Sequence, residues 1–178
     1  MERELVWTPR QWPGCEHLQV RSGRSGITAD GVVIAVLDHG PLRVHYRLEC
    51  GLDWQVRRVT VDVLGQPAAS LVHTGDRWFD HGRERADLEG CTAVDLALTP
   101  FTNTLPIRRL GLGHGESAEL DVVYILPGPA PAISAKRQRY TRTDDGYRYE
   151  SGSFSAELTV DADGIVLNYP GLWALHQQ

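Results

Sequence analysis

The stretch Gly90–Leu110 reads GCTAVDLALTPFTNTLPIRRL and divides into a strand and a rigid polar corner. Residues 94–99 alternate between apolar and other side chains, which predicts a short half-buried strand. Pro100 and Pro106 each lack a backbone donor and fix φ, so the strand cannot continue through them. Thr104 is the predicted N-cap of a short helical turn that carries Pro106 near its start. The polar side chains of the stretch are Asp95, Thr99, Thr102, Asn103, Arg108 and Arg109. Such a corner is either a structural clamp or a binding corner, and its chemistry alone favours neither.

Outside this stretch the chain consists of short alternating segments separated by turn residues. Residues 42–48, 58–63, 120–126 and 154–160 alternate between apolar and polar side chains. Asp30-Gly31 is a predicted turn, because Asp-Gly readily adopts the positive φ angles of tight turns. About a dozen strands with no helical stripe predict an all-β fold. We expect a single strongly curved antiparallel sheet in two halves, forming a closed or half-open barrel with short helical turns only.

Length, charge and motif content narrow the function. The 178 residues favour one domain over residues 1–178, and the net charge of −5 offers no basic surface to nucleic acid. The three cysteines have neither a disulfide framework nor zinc-site spacing, so we predict no metal and no cofactor. The charged start lacks the apolar segment of a signal peptide, and no stretch is long enough to span a bilayer. We therefore expect a cytoplasmic protein without integral membrane association, and the sequence leaves its oligomeric state open.

Several runs of the sequence resemble one known family. They are Trp7, Tyr46–Cys50 followed by Trp54, Trp78, DLALTPFTNTLPIRRL from Asp95 to Leu110, the QRY of Gln138–Tyr140, and VDADGIVLNYP ending at Pro170. Together they make the chain similar to the glycolipid-binding family, formerly a domain of unknown function. The resemblance covers most of the chain and implies a curved antiparallel sheet closing into a barrel, similar to bacterial lipoprotein carriers. It also implies a small amphiphilic or glycolipid-like ligand, and it brings no catalytic residue set.

The polar corner and several aromatic residues form the predicted binding site. We expect the corner to be the polar end of an apolar cavity, because a barrel wider than roughly eight strands is not filled by its own side chains. The predicted ligand-binding residues are Asp95, Thr99, Thr102, Asn103, Arg108, Arg109, Trp54, Trp78, Tyr124 and Tyr140. Two interpretations of Asp95 stay open: it accepts hydrogen bonds from ligand hydroxyls, or it pairs with Arg108 or Arg109 as a clamp.

Three functions are compatible with such a fold. The first is a binding protein that holds an amphiphile in the barrel cavity, and the second is an enzyme acting on a small lipid or acyl compound there. The third is a structural protein whose cavity is filled by its own tryptophans. No nucleophile or metal motif is present, so we predict no catalytic residue and favour binding. The leader, residues 1–13 with Trp7 and Trp12, is predicted to be a strap plugging the sheet or a lid over the cavity.

Overall fold

One sheet contains all fifteen strands of residues 2–38, 40–128 and 131–176, which are the residues described by a computed structural model. The strands are β1 Glu2–Pro9, β2 Gly14–Gly23, β3 Gly26–Leu37, β4 Gly40–Cys50, β5 Val56–Val63, β6 Gln66–Thr74, β7 Arg77–Asp80, β8 Arg83–Glu84, β9 Cys91–Leu96, β10 Ser117–Leu126, β11 Ala132–Arg142, β12 Gly146–Ser151, β13 Phe154–Val160, β14 Val166–Tyr169 and β15 Trp173–Leu175. The single α-helix of these residues, α1, is Thr104–Leu110. None of the described segments forms a helix long and apolar enough to cross a bilayer.

The sheet is a meander in two halves, as predicted. Strands β1 to β8 pair antiparallel in chain order, and so do β10 to β15. The halves join because β1 also pairs antiparallel with β15. Strands β8 and β9 are the two edges of the sheet and do not pair with each other. The sheet is therefore a half-open barrel rather than a closed one.

The one parallel pair among the described strands explains the proline-rich corner. Strand β9 pairs with β10 in parallel, and a parallel pair needs a crossover connection. Residues 97–116 supply it, with a 3₁₀ turn at Phe101–Asn103 followed by α1. The Thr99 hydroxyl accepts the Phe101 N–H at 3.0 Å where the turn begins, whereas Thr104 is already helical. The prediction of Thr104 as the N-cap was wrong because the 3₁₀ turn starts the helical segment three residues earlier.

The crossover, which we define as residues 97–116, packs between the two halves of the sheet. Residues 104–107 of α1 are buried. The Arg108 guanidinium lies over the Trp54 ring, 5.5 Å from its centroid, between β4 and β5. On the other side, Gly164 in the β13–β14 turn lies so close that a Cβ there would be 3.1 Å from Ile107 Cγ2. The crossover thus contacts the turns of both halves, and it helps to hold them together.

Buried aromatic side chains fill much of the interior and bridge the gap between the sheet edges. The Trp78 indole on β7 is fully buried and donates to the Cys91 carbonyl on β9 at 2.9 Å. A side-chain hydrogen bond therefore links the two edge regions that strand pairing leaves apart. Trp7, Tyr46 and Phe101 are also fully buried, so the protein's own side chains occupy space that the sequence left open for a ligand.

The leader is a regular strand in the middle of the sheet, so the prediction of a strap or lid was wrong. Strand β1 pairs with β2 on one side and with β15 on the other. The buried Trp7 indole donates to the Val166 carbonyl at 2.8 Å, and Trp12 packs edge-on against Trp173 with centroids 5.1 Å apart. One hydrogen-bonding partner of β1 is the far end of the chain, which the sequence of the leader itself does not indicate.

Strand β3 runs straight through Asp30-Gly31, so the predicted turn there was also wrong. Gly31 lies opposite Tyr46 of β4. A Cβ at Gly31 would lie 2.3 Å from the Tyr46 ring carbon Cζ and 2.6 Å from its hydroxyl. The glycine is therefore needed for close approach of an aromatic ring across the strand and not for a positive φ angle.

Candidate ligand-binding site

A cavity of about 280 Å³ lies against the second half of the sheet, where β9–β15 meet the crossover. We call it the Asp95 pocket. Its polar part contains Asp95, Thr99 and Asn103, all of which were predicted from the sequence. Its walls include Tyr124, also predicted, and further residues from β11 to β15. The parallel pairing of β9 with β10 places Asp95 beside Tyr124 and brings the crossover over both.

Asp95 is held by neutral hydrogen-bond donors. Its Oδ1 accepts the Thr102 hydroxyl at 3.2 Å, and its Oδ2 accepts the Gln138 side-chain amide at 2.6 Å. Burial raises the pKa of the Asp95 carboxyl, while the hydrogen bonds from Gln138 and Thr102 and the charge of Lys136 act in the opposite direction. Each carboxylate oxygen has two lone pairs, so both oxygens retain acceptor capacity for a ligand in the pocket.

Behind the pocket, a buried hydrogen-bond network joins β11, β12 and the crossover. The Gln138 amide also donates to the Tyr149 hydroxyl at 2.9 Å. Tyr140, which is fully buried and does not line the pocket, donates to Asn103 Oδ1 at 2.9 Å. Asn103 in turn donates to the Pro100 carbonyl at 3.1 Å. The network fixes the rotamers of Asp95 and Asn103, so the polar part of the pocket is preorganised.

The Asp95 pocket also contains a cation and several aromatic side chains. The Lys136 ammonium lies over the Tyr124 ring, 3.4 Å from its centroid, and makes no ion pair within 4.0 Å in the described residues. Its hydrogen-bond donors are therefore available to a ligand. The aromatic side chains of the wall are Tyr149, Phe154, Tyr169 and Trp173. Tyr149 and Tyr169 meet edge to face with centroids 6.2 Å apart, which presents both apolar ring surface and polar edges to the pocket.

Six of the ten predicted site residues do not line the Asp95 pocket: Thr102 and Tyr140 lie behind it, and the other four lie farther away. Arg108 stacks on Trp54 and lines a second cavity of about 300 Å³ between α1 and the β13–β14 turn. Arg109 is exposed and donates to the Thr92 carbonyl. Trp78 is buried at the gap between the sheet edges. Because the hydrogen-bond donors to Asp95 are Thr102 and Gln138, the alternative in which an arginine clamps Asp95 is not formed.

Comparison with known proteins agrees with the fold and the sequence signature. The family model described as "Putative glycolipid-binding" matches residues 4–174. The chain belongs to this family. The crystal structure of a DUF1089 family protein from Pseudomonas aeruginosa is similar to this chain, with a TM-score of 0.79 and 35% identity over 89% of this chain and 90% of that one. A search of curated proteins found no match.

Sequence reasoning missed several residues with which this member of the glycolipid-binding family lines its pocket. Lys136 is the only lysine in a chain with seventeen arginines, and this unusual residue could have been noticed in the sequence as a candidate site residue. The wall residues Tyr149, Phe154, Tyr169 and Trp173 come from four different strands, β12 to β15. Their convergence depends on the curvature of the sheet, which alternation within each strand does not reveal.

A second missed group lies next to the pocket, around the fully buried Glu16 of β2. Its Oε1 accepts the Tyr46 hydroxyl at 2.5 Å, while its Oε2 is buried without a partner among the described residues. The Tyr46 hydroxyl is also 3.4 Å from the hydroxyl of Thr99, which lines the pocket. Burial raises the pKa of Glu16 to about 8, against weaker opposing hydrogen bonds from Thr99 and Tyr46. Of this group only Thr99 was predicted as a site residue, and the sequence around Glu16 gives no sign that its carboxyl is buried.

Proposed function

We propose that the protein binds the hydroxylated headgroup of a glycolipid-like amphiphile in the Asp95 pocket. The observation that carries the proposal is the combination of groups in one cavity: a preorganised carboxylate, an unpaired ammonium and aromatic rings. A sugar ring presents hydroxyls at its edge and C–H groups on its faces, so it needs both polar partners and an aromatic surface. The family description, which names glycolipid binding, supports the same ligand class.

The size of the pocket favours a headgroup rather than an entire lipid. Its volume of about 280 Å³ lies just below the range for small-molecule sites, roughly 300–1,000 Å³. Trp7, Trp78 and Tyr46 fill much of the interior, which supports a ligand whose acyl chain stays outside. Phe154 is 44% exposed and belongs to the pocket wall. We place the acyl chain along this apolar rim, where it is covered only in part.

The pocket chemistry favours binding over catalysis. Asp95 is the only carboxylate lining the pocket in the described residues, whereas glycoside hydrolysis normally uses a pair of carboxyl groups. Burial raises the pKa of the Cys50 thiol to about 12 and that of the Cys91 thiol to about 11. Thiols with such pKa values remain protonated near neutral pH and are poor nucleophiles.

A titration with short-chain glycolipid analogues tests the proposal. Octyl glucoside, galactoside and mannoside, each below its critical micelle concentration, are titrated into the protein while tryptophan fluorescence is recorded, because Trp173 lines the pocket. Free monosaccharides and octyl sulfate are the comparison ligands. We expect at least one octyl glycoside to bind more tightly than the matching free sugar and than octyl sulfate.

Paired variants locate the site. Asp95→Asn and Lys136→Met should each weaken binding of the best octyl glycoside about tenfold, since each removes one charged hydrogen-bonding group. Asp121→Asn is the matched control, because Asp121 lies on neighbouring β10 but bonds to Arg137 and does not line the pocket. Thermal melts confirm that each variant folds. Equal weakening by Asp121→Asn and Asp95→Asn, or no glycoside binding by the wild-type protein, would contradict the proposed function.

A further inference from the structure

The unpaired oxygen of Glu16 restricts how the buried cluster can hold a proton. Oε2 has no hydrogen-bond partner in the described residues, so a proton placed there would be buried without an acceptor. Oε1 lies 2.5 Å from the Tyr46 hydroxyl oxygen, which can accept as well as donate. A protonated Glu16 is therefore best satisfied when Oε1 carries the hydrogen and donates it to Tyr46.

The direction of every hydrogen bond in the cluster then depends on that proton. When Glu16 is ionised, Tyr46 donates to Oε1, and the Thr99 hydroxyl hydrogen is held within the cluster by the Glu16 carboxylate or by the Tyr46 oxygen. When Glu16 is protonated, it donates to Tyr46, and Tyr46 donates to Thr99 across the 3.4 Å separation, where either oxygen can be the donor. Thr99 has lone pairs for both Tyr46 and the Phe101 N–H, so it can accept both bonds at once.

The second arrangement frees a donor at the pocket. In it, the Tyr46 oxygen no longer accepts from Thr99, and the Glu16 carboxyl has lost the charge that attracted the Thr99 hydroxyl hydrogen, so this hydrogen can point into the Asp95 pocket, which Thr99 lines. We propose that Glu16 is a positioning residue for the ligand, whose protonated carboxyl acts through Tyr46 to turn the Thr99 hydroxyl hydrogen toward an acceptor oxygen of the bound headgroup. This inference rests on the proposed function and adds to it that one buried proton controls how the pocket binds its ligand.

The surroundings of Glu16 contain few groups that could override this chain. Its strand partners are Trp7 on β1 and Val33 on β3, which are both uncharged. From β4 and the crossover it meets Tyr46 and Thr99, and among the described residues the only further titratable group acting on the cluster is Asp30, whose charge raises the pKa of Tyr46. Since burial raises the pKa of Glu16 to about 8, Glu16 ionises in a mildly alkaline pH range in which binding can be measured.

The test is the pH profile of octyl glycoside affinity, measured by calorimetry from about pH 6 to pH 9.5. Wild-type affinity should be constant in the acidic half and fall about three- to tenfold above pH 8, as one hydrogen bond to the ligand is lost. Glu16→Gln cannot ionise, so its profile should be flat whatever its absolute affinity. Glu4→Gln is the control, because Glu4 is an exposed carboxylate on β1 that bonds to His17, and it should keep the wild-type profile.

Proton uptake provides a second readout that a merely structural role would not change. At about pH 8, glycoside binding to the wild-type protein should take up a proton, because ligand and proton favour each other reciprocally. Calorimetry in buffers of different ionisation enthalpy measures this uptake, which should vanish in Glu16→Gln. If Glu16→Gln does not fold, Tyr46→Phe interrupts the same chain and should also abolish the uptake.

The outcomes separate this inference from the function on which it rests. A wild-type profile that is flat to pH 9.5 would overturn the role of Glu16 and leave binding in the pocket intact. An alkaline loss of affinity that persists in Glu16→Gln would likewise overturn the role of Glu16 and leave binding in the pocket intact. Thr99→Val should weaken binding at pH 6.5 and show little further loss at pH 9.5; an unchanged affinity at pH 6.5 would also contradict the inference. Absence of glycoside binding at every pH would instead refute the proposed function.

Discussion

Replacing Gly31 by alanine tests whether this glycine exists to make room for Tyr46. An added Cβ would lie 2.3 Å from the ring carbon Cζ, 2.4 Å from Cε1 and 2.6 Å from the hydroxyl oxygen. Tyr46 is fully buried, so its ring has no solvent-filled space into which it can move. Either the ring or strand β3 must shift, and the hydrogen bond to Glu16 shifts with it.

Two costs contribute to the expected loss of stability. Overpacking a well-packed site costs about 1–3 kcal/mol. Weakening the hydrogen bond between Tyr46 and the buried Glu16 carboxyl costs about 1–3 kcal/mol more, because the carboxyl then loses its main partner. We expect about 3 kcal/mol in total, which for a chain of 178 residues corresponds to a decrease in Tm of about 6–12 °C.

The assay is a thermal or urea melt of Gly31→Ala beside Gly23→Ala. Gly23 ends β2, and a Cβ there would meet nothing within 4 Å, so this control should melt within about 2 °C of the wild type. A double-mutant cycle with Tyr46→Ala isolates the contact. Once the ring is gone, adding Gly31→Ala should cost less than about 0.5 kcal/mol. Similar melting of Gly31→Ala and Gly23→Ala, or full additivity in the cycle, would refute the steric argument.

Three further predictions concern other groups of the site. An amine-reactive reagent should modify Lys136 more slowly when an octyl glycoside is bound, because Lys136 lines the pocket. Mass spectrometry measures the modification, and the rate at the terminal α-amino group should not change. An unchanged rate at Lys136 with saturating glycoside would show that Lys136 is not part of the site. Burial raises the folded-state pKa of Glu16 from 4.5 to about 8, so its stabilisation of the fold is complete below about pH 4.5 and is lost as the pH rises to about 8. Glu16→Gln should remove this pH dependence of the free energy of unfolding, which amounts to about 5 kcal/mol at most. Urea melts at several pH values measure it, and the same pH dependence in Glu16→Gln as in the wild type would contradict the burial of the carboxyl. Arg109→Ala should lower the free energy of unfolding by only about 0.5–1.5 kcal/mol, because the exposed guanidinium makes one hydrogen bond, to the Thr92 carbonyl. A loss above about 3 kcal/mol would instead support the alternative in which Arg109 clamps Asp95.

The fold was largely predictable because alternation and turn residues are local signals. The alternating segments 120–126 and 154–160 lie in strands β10 and β13, and the expected curved sheet in two halves is present. What local pattern could not reveal was pairing between distant strands. Strand β1 pairs with β15 at the other end of the chain, and β9 pairs in parallel with β10 because the crossover lies between them.

The glycine of Asp30-Gly31 shows why a correct local rule can fail. The dipeptide favours a tight turn, yet Gly31 lies in the middle of β3 because the side chain that needs its space is on the next strand. Likewise, the clamp alternative for Asp95 named Arg108 or Arg109 as its partner, but the donors are Thr102 and Gln138. Gln138 comes from β11, and its approach to Asp95 depends on sheet curvature that the sequence does not encode locally.

The pocket itself was half predictable. The polar residues Asp95, Thr99 and Asn103 are close together in the sequence and stay together in the structure. The other lining residues, Lys136 and the aromatic wall, come from strands β11 to β15 and meet only in the folded sheet. Large aromatic residues such as Trp54 and Trp78 were expected in the wall, but they pack in the protein's own core.

A crystal structure of the protein with its tightest-binding octyl glycoside tests the central claim most directly. We predict the sugar in the Asp95 pocket, with a hydroxyl within about 3 Å of an Asp95 carboxylate oxygen, a second contact to Lys136, and the octyl chain leaving over Phe154. A glycoside bound instead in the cavity between Arg108 and Arg142, with the Asp95 pocket empty at saturating ligand, would contradict the account.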